Sequence, residues 1–195
     1  MKIYTKTGDA GTTFLCPGKR VLKSNILIKC IGSADSLNAW IGSLTSMILK
    51  PETNKFLTEI QRNIHVISTI LSSVHKNIDK SYLNSFFENE VKNLENAIDE
   101  IDSSLTPLTN FILLQGGQIT TQCHLTRTAC RNFERKLNKL FFSSEQYIDL
   151  RGIYPYINRL SDYLFILARQ QIAGTESIWK DENIGLFFSS GENSH

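Results

Sequence analysis

The strongest constraint on this chain is a three-four rhythm of apolar residues that runs through most of its length. Leu37, Ile41, Leu44 and Ile48 alternate steps of four and three, and Leu57, Ile60, Ile64, Ile67, Leu71 and Val74 continue it after Pro51. Phe87, Val91, Leu94, Ile98, Ile101 and Leu105 form a third seam. Ile119, Cys123, Thr126, Cys130, Phe133, Leu137 and Leu140 form a fourth, and Ile157, Leu160, Leu164 and Leu167 a fifth. That spacing stacks side chains on one face of a helix, so five such segments with short connections predict an antiparallel helical bundle.

The breaks have local causes. Ser33 is expected to cap the first helix and Pro51 to open the second. Pro107 and the Gly116–Gly117 pair separate the third from the fourth, Gly152 and Pro155 precede the fifth, and Gly174 marks its end. Residues 1–32 differ in character, with glycines at 8, 11, 18 and 32, several threonines and one extended run, NILIKCIG. The reading is a single domain over 1–195: an N-terminal segment 1–32, a bundle 33–174 and a tail 175–195 with aromatic anchors.

With 195 residues, 41% of them hydrophobic, the chain can bury a real core. Its net charge of +2, from 21 basic and 19 acidic residues, argues against wholesale binding to nucleic acid or anionic membrane. The start MKIYTKTGD has no apolar signal region, and no apolar run approaches the ~20 residues needed to span a bilayer. A soluble cytoplasmic protein is the expectation, with no membrane and no nucleic acid among its partners. Cys16, Cys30, Cys123 and Cys130 form no CxxC pair; Cys123 and Cys130, seven apart, suit burial on one helical face. The four histidines lack ligand spacing, so no metal bound by protein side chains is expected.

Three stretches carry candidate chemistry. TKTGDAGTT, residues 5–13, combines glycines with hydroxyls and can turn successive N–H groups toward phosphate oxygens, although plain turn chemistry also accounts for it. RTACRNFER places Arg127, Arg131 and Arg135 four apart, with Arg127 and Arg135 separated by about 12 Å along a helix. At about 100° per residue they flank the apolar seam, and Glu134 projects close to Arg127 on that edge. Guanidinium forks there suit a polyphosphate, whereas a solvated face with Glu134 as internal partner is the plainer alternative. YINRLSDYLFILAR puts Asn158 and Asp162 on one face beside Arg159, able to read a ribose or base edge or to serve as ordinary surface polarity. Asp35, in SADSLNA, is expected in the first turn of helix one, where the helix dipole favours a carboxylate.

Taken in order, IYTKTGDAGTT, GSADSLNAWIG, RTACRNFER and YINRLSDYLFILAR resemble the PduO-type ATP:cob(I)alamin adenosyltransferases, over nearly the whole chain to about Trp179. The resemblance implies an all-α, five-helix antiparallel bundle of the ferritin-like, cobalamin adenosyltransferase-like kind. It implies a homotrimer with sites between subunits, and transfer of the 5′-deoxyadenosyl group of ATP to cob(I)alamin or a related corrinoid with release of triphosphate. Thr5, Lys6, Thr7, Gly8, Thr13, Lys23, Arg131, Glu134, Arg135 and Asn158 match nucleotide-binding positions, and Mg²⁺ would share the phosphates. Arg127 matches an arginine that pairs with the aspartate at Asp35 across the interface. Phe111 matches a phenylalanine on the lower face of the corrinoid, and Phe187 or Phe188 would close over the cobalamin similarly. Arg127, Asp35, Phe111 and Arg131 are thereby assigned to the reaction itself. A reductase and an adenosylcobalamin-dependent enzyme are the expected protein partners.

The chain departs from the family pattern at Gln115 (proline in LPGG), at Asn132 (a second arginine), at Ser36 within the usual DEL, and at Leu27 and Lys29. Two other classes remain open at this stage: a non-catalytic carrier or sensor of adenosylcobalamin, and a structural helical interaction module.

Overall fold

The structure, a computed structural model, describes residues 3–16, 18–48, 50–73, 77–143, 147, 150–172 and 175–179. The chain begins with a short hairpin, β1 (Thr12–Leu15) and β2 (Lys19–Leu22), paired antiparallel with Thr12 opposite Leu22 and Leu15 opposite Lys19. Thr12, Thr13 and Val21 are β-branched and suit the pleat. Gly18, at φ +84°, closes the turn by donating its N–H to Leu15 O at 2.6 Å. The hairpin is tied down where Cys16 N donates to Ser72 O and where Leu15 enters the core.

Among the described residues five helices follow: α1 (Ile26–Thr45), α2 (Pro51–Ser72), α3 (Lys80–Asp102), α4 (Gln118–Ser143) and α5 (Ile153–Gln170). The all-α five-helix reading holds, and the small hairpin adds to it. The first helix starts earlier than expected. Asn25, not Ser33, is its N-cap, its side chain accepting from Leu27 N at 2.9 Å. Ser33 lies buried mid-helix and donates to Cys30 O. The run NILIKCIG is therefore helical. Leu27, Cys30 and Ala34 extend the buried stripe of Leu37, Ile41 and Leu44 upstream, so packing overrides the extended preference of Ile26 and Ile28. Asp35 consequently sits in the middle of α1, and no acidic residue occupies its first turn.

Pro51 opens α2, Asp79 caps α3 by accepting from Tyr82 N, and Gly152 precedes α5. Pro155, expected before α5, instead lies in its first turn, where its missing N–H has no intrahelical partner to lose. Leu105 lies beyond the end of α3, and Gly174 falls outside the described residues. The principal packed pairs are α1 on α4, α4 on α5, α1 on α2 and α3 on α5. The core between them is mostly Leu and Ile, with Phe87, Phe133, Phe141, Tyr156 and Tyr163 as its largest fully buried side chains. Cys30, Cys123 and Cys130 are buried there as free thiols, as the seven-residue spacing suggested for the latter two, while Cys16 is exposed. Burial pushes Cys30 and Cys123 up to about 12, so they stay protonated at neutral pH.

A candidate active site on the fourth and fifth helices

Packing α4 on α5 brings Glu134 against the start of α5. Its carboxylate is only 3% exposed, and three side chains donate to it. Arg131 reaches Oε2 from the preceding turn, while Tyr154 Oη and Asn158 Nδ2 each reach Oε1 at 3.2 Å. A buried carboxylate is stable only when its lone pairs are met in this way. The partner of Glu134 is thus Arg131, three residues back, rather than Arg127, seven back. The contact turns one edge of the Arg131 guanidinium inward and leaves the rest facing out, since the side chain is 43% exposed. Asn158 gives one N–H to Glu134, which leaves its carbonyl and its second N–H to present to a ligand. Asp162, expected beside Asn158, pairs instead with Arg159, which also holds Glu95. Arg135 is exposed.

Arg127 lies on the same stripe, half-buried, with its Nε buried and without a hydrogen-bond partner. Burial first, and then the like charge of Arg131, hold its guanidinium below the usual arginine range. Asp35 is exposed on α1 and lines a cleft of about 410 Å³ with Thr13, Phe14, Gly32 and His65. Among the described residues no ion pair joins Asp35 to Arg127 within one chain.

The N-terminal loop forms a second polar group. Lys6 adopts φ +58° and Gly11 φ +75°, and Lys23 N donates to Gly11 O at 2.9 Å. A Cβ at Gly8 would meet Lys23 Nζ at 3.1 Å, so glycine lets that ammonium lie against the loop. Thr5 and Thr7 hydroxyls share a hydrogen bond at 3.0 Å, and Thr13 sits in β1 opposite Val21. Sequence reasoning missed Arg20. Its Nε donates to Thr12 Oγ1 at 2.8 Å and its Nη2 to Thr7 O at 3.1 Å, and the guanidinium lies over the Phe14 ring. Lys6, Arg20 and Lys23 make this loop cationic. The hairpin register that sets Arg20 opposite Phe14 was the missing signal.

Phe111 stands on the segment between α3 and α4 and is 81% exposed. Its neighbour Ile112 bridges Ile178 antiparallel, and Phe111 O accepts from Trp179 N at 2.8 Å. Phe187 and Phe188 lie outside the described residues. A larger cleft, about 740 Å³, lies between α3 and the start of α5 around Lys80, Glu88, Lys92 and Arg151, and contains none of the expected residues. Among the described residues no three His, Cys, Asp or Glu side chains gather as a metal site.

A helical bundle whose α4 carries a stripe of arginines, one of them held by a buried carboxylate, together with a cationic threonine-rich N-terminal loop, is an all-α framework with groups able to receive an anion. More specifically, the chain belongs to the cobalamin adenosyltransferase family, whose profile matches residues 3–171. The corrinoid adenosyltransferase PduO of Citrobacter freundii is 37% identical over 174 residues, covering 88% of this chain and 50% of that protein. The present chain therefore spans about half the length of that relative. The cobalamin adenosyltransferase of Cupriavidus metallidurans is 35% identical over 185 residues, covering 93% of this chain and 95% of the other. Human corrinoid adenosyltransferase MMAB is 33% identical over 173 residues, 86% of this chain and 68% of that one. The fold also superposes, with a TM-score of 0.80 and 26% identity, on a variant PduO-type ATP:corrinoid adenosyltransferase from Lactobacillus reuteri complexed with cobalamin and ATP. That likeness covers 92% of this chain and 100% of the other.

Proposed function

We propose that this protein transfers the 5′-deoxyadenosyl group of ATP to cob(I)alamin or a related cob(I)rrinoid. The Co(I) electron pair attacks C5′, a Co–C bond forms, the C5′–O bond breaks and triphosphate leaves with the electron pair of that bond. The observation that carries the reading is the buried Glu134, which fixes Arg131 and Asn158 in one arrangement before any ligand arrives. Preorganised cations matter most where charge develops, and here it develops on the leaving triphosphate. Arg131 and Arg135 would meet the phosphates from α4, and Lys6 and Lys23 from the N-terminal loop, with Thr5, Thr7, Gly8 and Thr13 shaping that loop. Mg²⁺ would be held by phosphate oxygens. The protein's part is position and electrostatics, because the nucleophile belongs to the corrinoid.

A homotrimer with the site between subunits is supported by what one chain leaves unfinished. Arg127 has a bare, buried Nε, and Asp35 faces outward from a different helix. Each supplies what the other needs across an interface. No helix among the described residues is long and apolar enough to cross a membrane, and all four cysteines are free, which is consistent with a reducing cytoplasmic setting.

The direct test is anaerobic incubation with cob(I)alamin, ATP and Mg²⁺, following both the adenosylcobalamin spectrum and triphosphate. Stoichiometric triphosphate is expected. A non-catalytic carrier would bind adenosylcobalamin and release none, and no conversion above a protein-free control would sink the proposal. Phe111 is assigned to the lower face of the corrinoid, where displacing the lower ligand eases reduction of cob(II) to cob(I). Phe111→Ala should therefore impair turnover from cob(II) about tenfold more than turnover from pre-reduced cob(I), equivalent to ~1.4 kcal/mol of barrier. Equal losses in the two assays would remove Phe111 from the reduction step.

A further inference from the structure

Phe111 is exposed, yet its backbone is held at several points, and the far ends of those contacts lie beyond the end of α5. Leu113 N donates to Ser177 O at 2.8 Å, and Trp179 N donates to Phe111 O at 2.8 Å, on either side of the Ile112–Ile178 bridge. The Trp179 ring meets the Phe111 ring edge to face, with centroids 6.4 Å apart and planes at 79°. Gln115 Nε2 donates to Ser177 Oγ at 2.6 Å, a contact that the proline usual in this family's pattern has no side-chain donor to make.

The base of this strap is anchored by Arg169 near the end of α5, which is only 4% exposed. Its Nε donates to Glu176 Oε1 at 2.9 Å and its Nη2 to Thr106 O at 2.6 Å. One buried guanidinium thus holds both the strap and the start of the segment that carries Phe111. Charge-assisted bonds of this kind at a desolvated site fix geometry as well as position.

We infer that Trp179 is a positioning residue for the corrinoid, its strap holding the Phe111 ring at the angle from which it meets the lower face. The inference rests on the reading of Phe111 given above. Phe111 has no other described ring against it, so its direction depends on the backbone pairing and on the Trp179 edge. Removing that edge lets the ring turn about its first two side-chain torsions while the helices stay packed.

The test uses the full chain with Trp179→Ala, Trp179→Phe, Phe111→Ala and the double variant Phe111→Ala/Trp179→Ala, each assayed from cob(II) plus reductant and from pre-reduced cob(I). An edge-to-face pair of this kind carries a factor of about 2 to 10, so Trp179→Ala should lose that much from cob(II) and much less from cob(I). Trp179→Phe should recover most of the loss, and the double variant should be no worse than Phe111→Ala alone. Losses that multiply in the double variant, or that are equal in the two assays, would overturn the positioning role. If Phe111→Ala itself shows no selective loss from cob(II), the reading of Phe111 fails and the inference fails with it, a result distinct from additivity.

Discussion

Arg131→Ala should lower the rate of triphosphate release by about 10²- to 10³-fold, the usual cost of removing one preorganised group from a developing charge. Glu134 is the reason for expecting so large an effect. A surface arginine samples many rotamers and loses that freedom when it binds, whereas Arg131 is already pinned along one edge by a carboxylate that solvent hardly reaches. Its remaining N–H groups are aimed in advance. Arg131→Lys retains the charge but not the fork, so it should fall between wild type and alanine, with a rise in KM for ATP. Thermal unfolding separates this from damage to the bundle. Undiminished triphosphate release from a folded Arg131→Ala protein would remove Arg131 from the reaction.

Asp35→Arg or Arg127→Asp alone should cost about 2 kcal/mol or more of coupling, roughly 30-fold in kcat/KM, because each leaves a like-charge or unpaired contact at a desolvated surface. The two together should restore at least about tenfold of that loss. The expectation follows from the bare Nε of Arg127 and from the absence, within one chain, of an ion pair between it and Asp35. Size-exclusion chromatography of the same variants shows whether the pair also holds subunits together. A double variant no better than the worse single one would mean that these residues do not meet.

Much of the bundle was legible because its evidence is local and repeated. Leu57, Ile60, Ile64, Ile67 and Leu71 signal a helix without knowledge of what they pack against, and all are buried in α2. The first helix was misjudged at its start because Ile26, Ile28 and Lys29 read equally well as an extended run, and one asparagine decides between the two. The hairpin escaped notice because strands of four residues are too short to display a period. At the candidate site, the arginine stripe was visible as spacing on one helix. Its sharing of Glu134 with Tyr154 was not, since that contact joins residues 20 apart in sequence through the packing of α4 on α5. Arg169, the last residue of YINRLSDYLFILAR, carries no signal in its spacing. Its role appears only when Thr106 and Glu176 arrive from two other segments.

One helix touches both ends of this arrangement. Asn158, bound to Glu134, and Arg169, holding the strap, belong to α5 and are separated by about 16 Å at 1.5 Å per residue. No glycine or proline interrupts the helix between them. α5 therefore acts as a gauge block: it sets the separation between the end that steers Arg131 and the end that aims Phe111. One residue inserted between Asn158 and Arg169 would shift that separation by about 1.5 Å and twist the two ends by about 100°. A bundle is a suitable body for joining two large ligands, because its stiffest parts can serve as its measuring distances.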